Sequence, residues 1–236
     1  MTMTKTKTSK FLVGFSMIIL LFLITLIGVS GQAFADTASR DNVVSKSTTG
    51  EKLIKFLSTT NSLQAKFFHE QLSSSGEILR FEGNFFFRRP DKLKWLIEKP
   101  FPQLQLLRGN EFMIYDPDLE QVTTRIFDQS LESTPAGLLF VSGPLAGDRL
   151  RKRYKLYSAP SKSGLNWVLA VPKDDDGDSL NLEIGLNNDG AIAEILTTDI
   201  FKRSSRIKFM NLRQNEKIRD SVFIPVIPPG VEYIEQ

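Results

Sequence analysis

From residue 63 onward, apolar side chains fall on every second position, run after run, which is the pattern of half-buried strands. Leu63, Ala65 and Phe67 alternate with Gln64 and Lys66; Leu79, Phe81, Gly83, Phe85 and Phe87 alternate with Arg80, Glu82, Asn84, Phe86 and Arg88; Leu93, Trp95 and Ile97 alternate with Lys92, Lys94 and Glu98. Leu104, Leu106, Phe112 and Ile114 flank the turn Arg108-Gly109-Asn110-Glu111, and Val122, Thr124 and Ile126 follow. Further runs span 150–157, 167–171, 180–186, 192–198, 205–212 and 222–226, joined by short turns such as Asn187-Asn188-Asp189-Gly190. Turns this short cannot hold crossover helices, so the strands run antiparallel. Two segments read as helices. One is 51–57, with Leu53, Ile54 and Leu57 on one side. The other is 134–140, with Thr134 as N-cap and Pro135 at the first helical position. About 11 strands then form one curved sheet or open barrel, mainly β, and residues 36–236 read as a single domain.

The first 35 residues obey different rules. Lys5, Lys7 and Lys10 precede an uncharged stretch from Phe11 to Ala35, apolar as far as Val29, which ends in Ala33-Phe34-Ala35. Basic, apolar, then small residues make a secretory signal peptide, so 1–35 is expected to be cleaved; a retained membrane anchor is the rival reading. The whole chain has 30 basic and 27 acidic residues, a net charge of +3. The leader holds three of the basic ones and no acid, so the remainder is neutral. Nucleic acid loses its electrostatic case as a partner. The absence of cysteine excludes disulfides, thiolate metal sites and an N-terminal lipidated Cys, and one histidine excludes multi-His metal sites.

Two short helices are too small to cover the apolar face of so many strands. Either an unfilled apolar cavity remains beneath them, or the many Phe residues pack it solid. Arg89 bears on this, because it continues the odd-numbered face of Leu79 to Phe87 while Arg88 points to solvent. Its guanidinium either sits at the rim in water or clasps carbonyls of a lid. Catalytic chemistry finds little support. His69 has no nucleophile motif beside it, and Asp174 to Asp178 lacks the ligand order of a calcium loop and reads as an acidic turn. The basic run Arg149 to Lys155 reads as the solvated face of a strand or as a docking patch for an acidic partner.

The stretch Gly83 to Trp95, with Arg89-Pro90 at its centre, resembles the G-x-[LF]-x-x-x-R-P-x-x-[LF]-x-W block of the LolA-type outer-membrane lipoprotein carriers. Pro100, Gly109, Tyr115-Asp116-Pro117, Thr134-Pro135, Asn188-Asp189-Gly190, Arg203-Ser204-Ser205 and Pro228-Pro229-Gly230-Val231 follow in the family's order. The resemblance implies an unclosed antiparallel β-barrel with short helices as a lid over an apolar cavity. It implies a periplasmic, monomeric, non-enzymatic carrier with no cofactor and no metal. Such a carrier takes acylated lipoproteins from an inner-membrane ABC-type release complex and passes them to an outer-membrane lipoprotein receptor. It also implies that Arg89 clasps the lid. The expected cavity lining is Phe81, Phe85, Phe87, Leu93, Trp95, Leu106, Phe112, Ile114, Leu138, Leu139 and Phe140. Another acylated lipid or pigment as cargo, or a periplasmic β interaction domain without cargo, are the alternatives.

Overall fold

The alternating runs become strands, and the strands join one sheet. In a computed structural model of the chain, residues 48–72, 76–127, 143–173, 181–198 and 203–236 are described. The expected leader, the helix expected at 134–140 and the acidic run Asp174 to Asp178 lie outside them.

Strands β1 (Ser62–Leu72), β2 (Ile78–Arg88), β3 (Lys92–Lys99), β4 (Gln103–Arg108), β5 (Glu111–Asp116) and β6 (Gln121–Ile126) form a first meander. A second meander contains β7 (Tyr154–Lys162), β8 (Leu165–Pro172), β9 (Asn181–Leu186), β10 (Ile192–Thr198) and β11 (Ser204–Gln214). β11 returns to pair with β1, so the sheet runs β12-β6-β5-β4-β3-β2-β1-β11-β10-β9-β8-β7 and does not close. The twelfth strand, β12 (Glu232–Glu235), was not anticipated from the sequence; it lies parallel to β6, where the other pairs are antiparallel. Four residues are too few for alternation to register.

Helix α1 (Thr48–Thr59) begins three residues before the expected start and so takes in the end of what reads as a loose polar lead-in. Gly50, Leu53, Phe56 and Leu57 make its buried side, and Glu51 sits favourably at its positive end. The hydroxyls of Ser58, Thr59 and Thr60 donate to the carbonyls of Ile54, Lys55 and Phe56 at 2.7, 2.9 and 2.6 Å. These bonds occupy acceptors that the last turn of a helix leaves open.

Two expected strands are corrected. The first half of the run at 150–157 belongs to helix α2 (Ala146–Arg153), and β7 starts only at Tyr154. Ala146, Gly147 and Leu150 bury one side of α2 and its charges face out, with Arg151, Lys152 and Arg153 at the negative end. The basic run therefore lies on a helix rather than along a strand. The run at 222–226 is a 3₁₀ turn, Asp220–Phe223, followed by irregular chain. Pro225 has no N–H to give to a ladder.

Both faces of the β2–β6 half are covered. The register aligns Phe87, Leu93, Leu107, Phe112 and Arg125 across one face, the face on which Arg89 meets the end of α1, while α1 itself packs chiefly against α2, β7 and β8. On the other face Leu104, Leu106, Met113 and Val122 form a cluster with Ile218 and Phe223 of the C-terminal segment. Burial of an Ile or Phe side chain stabilises by about 1.5–3 kcal/mol each, enough to hold that segment down as a strap.

Candidate functional site

The helix-bearing face is built by odd-numbered positions of β1 to β3. Phe81, Phe85, Phe87, Leu93 and Trp95 are buried there, and Phe112 and Ile114 of β5 share the face through the register. Leu106 does not. It pairs with Lys94 and Met113 and turns to the strap side, while Leu107 takes the place expected for it. A bulge-free count from Leu104 selects the wrong parity, because β4 is buried on both faces and alternation there is silent. Leu138, Leu139 and Phe140 lie outside the described residues.

Two aromatic residues omitted from the expected lining complete the face. Phe67 stacks at 4.4 Å between ring centroids on Trp95, and Phe209 of β11 stands 5.8 Å from Phe85 and 6.4 Å from Trp95. Phe67 shares the parity of Leu63 and Ala65, so its place was legible; Phe209 became a neighbour only once β11 paired with β1. Gly83 lies directly across from Phe67, and a Cβ there would strike the Leu96 carbonyl. Arg125 adds an unexpected cation, stacked 5.2 Å over the Phe112 ring. Its neighbours Val122, Thr124 and Ile126 read as the apolar face of β6. The structure reverses them: Val122 is in the strap cluster and Ile126 is 72% exposed.

Arg89 sits at the end of β2, where the face meets α1. Its Nε donates to the Thr60 carbonyl at 2.6 Å, one terminal nitrogen to the Leu57 carbonyl at 3.4 Å, and its backbone N–H to the Asn61 carbonyl at 2.9 Å. A cation at the last carbonyls of a helix meets the negative end of its dipole. Burial, and then the nearby charge of Arg149, push the guanidinium pKa below its usual value. The acceptors belong to the C-terminal end of α1. The Arg89 guanidinium thus bonds backbone carbonyls at the end of α1 rather than standing free in water at the rim.

Gly143, which no sequence pattern singles out, belongs to this contact. Its N–H donates to the Leu57 carbonyl at 3.0 Å, its φ is +114°, and a Cβ there would overlap the Arg89 guanidinium. Thr60, fully buried, is held in turn by Gln214, whose Nε2 donates to its hydroxyl at 2.7 Å. Arg88, expected in solvent, instead grips the strap: it donates to the Ile218 carbonyl at 2.7 Å, pairs with Asp220 and lies over the Phe223 ring.

His69 lies on the helix-bearing face beside Phe81, its Nε2 2.7 Å from the Ser205 hydroxyl. That separation alone would suit a base and a nucleophile. Burial pushes the His69 pKa from 6.5 down to about 4, which makes it a poor base for a hydroxyl. Ser205 also sits within a strand paired on both sides, opposite Gln71 and Thr197.

Comparison with known proteins agrees with this arrangement. The profile of the family described as "Outer membrane lipoprotein carrier protein LolA" matches residues 58–225. The outer-membrane lipoprotein carrier protein of Bordetella pertussis is 32% identical over 189 residues, 80% of this chain and 87% of that protein. That of Methylococcus capsulatus is 33% identical over 191 residues, 80% of this chain and 89% of that protein. A solved structure of an uncharacterized conserved protein from Thermus thermophilus has a TM-score of 0.50 at 10% identity, covering 80% of this chain and 97% of that one, which bears on the fold alone. The match takes in β1 to β11, Arg89 and the start of the strap, and on that extent this chain belongs to the LolA family.

Proposed function

We propose that this chain is a periplasmic carrier that shields the acyl chains of lipoproteins between the inner and the outer membrane. Membership of the LolA family across residues 58–225 supports this reading most. The aromatic face of β1 to β3 supplies a surface of the right chemistry. Each methylene withdrawn from water contributes ~0.8 kcal/mol, so one long acyl chain gains on the order of 10 kcal/mol. A shuttle must offset part of that gain, or cargo would never leave.

Arg89 is the device we assign to that task. Its bonds to Leu57 and Thr60 hold α1 against the sheet; cargo that enters beneath α1 breaks them, and they re-form on release. The carrier is thereby biased toward delivery, and no covalent bond is made or broken. Cargo is taken from an ABC-type release complex and given to an outer-membrane receptor.

The test is a two-stage transfer assay with Arg89→Leu. The variant is expected to load lipoprotein from the release complex as well as wild type and to pass it to the receptor several-fold more slowly. Transfer at the wild-type rate would remove the clasp from the mechanism, and failure of the wild-type protein to load any lipoprotein would remove the carrier reading.

A further inference from the structure

The helix-bearing face is not uniformly apolar. Two adjacent rows cross the centre of the sheet. The first runs Phe81, His69, Ile207, Ile195 and Ile184; the second runs Leu79, Gln71, Ser205, Thr197 and Leu182. His69, Gln71, Ser205 and Thr197 therefore form a contiguous polar island on β1, β11 and β10, bordered by Phe81, Ile207, Ile195 and Leu182. Ser205 and Thr197 are each 4% exposed. At about 3.3 Å per residue along β2, the island lies roughly 26 Å from Arg89, at the other end of the aromatic wall.

A wall that packed only methylenes would gain nothing from four hydrogen-bonding groups in one patch, since each costs free energy to remove from water. The His69–Ser205 bond at 2.7 Å uses part of their capacity. A hydroxyl engaged in one such bond retains hydrogen-bonding capacity for a second partner. Thr197 stands directly across the ladder from Ser205, within the reach of one oxygen atom bridging both.

We propose that this island is a subsite for the ester and amide carbonyl oxygens at the head of an acylated cargo, whose chains run from it along Phe81, Phe85 and Phe87 toward Arg89. The hydroxyls of Ser205 and Thr197 and the Gln71 amide donate to those oxygens, and His69 orients Ser205 as a positioning residue. The inference rests on the carrier reading and adds to it the part of the cargo that is recognised and the direction in which it lies.

The test compares two probes on the purified full chain: a synthetic lipopeptide with two ester-linked chains and one amide-linked chain, and diphenylhexatriene, a hydrocarbon dye without a carbonyl. The double variant Ser205→Ala/Thr197→Val is expected to lose about tenfold in lipopeptide affinity, the scale of a lost buried hydrogen bond, and to bind the dye as wild type does. Unchanged lipopeptide affinity, or an equal loss for both probes, overturns the subsite. If the double variant does not fold, Thr197→Val alone is expected to lose severalfold on the lipopeptide and nothing on the dye; no change there is equally fatal. Wild-type protein that binds the dye and not the lipopeptide overturns the subsite and leaves an apolar cavity standing. Wild-type protein that binds neither overturns the carrier reading itself.

Discussion

Arg88 and Arg89 are consecutive, yet they hold different parts of the molecule by different chemistry. Arg89 points to the helix-bearing face and bonds backbone carbonyls of Leu57 and Thr60, neutral acceptors without an opposing charge. Arg88 points the other way and bonds the Ile218 carbonyl, the Asp220 carboxylate and the face of Phe223. Lys92 reaches the same carboxylate at 2.5 Å, and Ile218 and Phe223 are buried in an apolar cluster. Neutral acceptors that water can replace suit a contact that opens and re-forms. Apolar burial suits one that stays. If Arg89 is the clasp proposed above, the alternation of the strand puts a reversible grip and a permanent one on adjacent residues.

The largest test falls on the permanent side. Phe223→Ala removes a ring that is 1% exposed from the strap cluster and is expected to cost about 3–4 kcal/mol in urea unfolding, as large-to-small changes in a core do. A loss below 1 kcal/mol would show that the strap is not anchored by burial, and the contrast between the two sides would go.

Gly143→Ala probes the reversible side. The added methyl displaces the Arg89 guanidinium and strains a residue at φ +114°, at an expected cost of about 1–3 kcal/mol. Its signature is local: amide exchange should quicken in α1 and remain at the wild-type rate in the strap. Equal acceleration in both would mean that the two grips open as one unit.

The smallest effect is the charge on the strap. Bonds from Lys92 and Arg88 lower the Asp220 pKa from 3.8 to about 2. A carboxyl depressed on folding stabilises above its unfolded pKa and loses that contribution as pH falls through its folded one. Wild type should therefore lose a small increment between about pH 4 and pH 2, on an exposed pair of little worth. Asp220→Asn should lack that increment, so the stability gap between the two proteins narrows as acid is added. A gap that holds constant from pH 6 to pH 2 would show that the ion pair contributes nothing to the strap.

Much of the fold was legible because period-two alternation is a local property. β1 to β3, the hairpin turn at Gly109 and the inward parity of Phe81, Phe85, Phe87 and Arg89 followed from it directly. It failed where its premise failed. β4 is buried on both faces, so Leu106 was assigned to the wrong one. The segment 146–153 buries Ala146, Gly147 and Leu150 at helical spacing inside what reads as a basic strand. Phe223 reads as strand because proline's missing donor matters less to a hydrophobic pattern than to a ladder.

By itself, then, the sequence determined most of the sheet-forming segments, which side of β2 each residue faces, and a family resemblance centred on Arg89-Pro90. Those depend on neighbours a few positions apart. The tertiary structure alone decided what each side faces. The return of β11 to β1 brings Phe209 to Trp95 and Ser205 to His69, and the C-terminal segment crosses the far side to Arg88. Gly143 meets Arg89 across 54 positions of chain. Contacts of that kind arise from register and chain return between segments far apart in sequence, and no spacing within a single run encodes them.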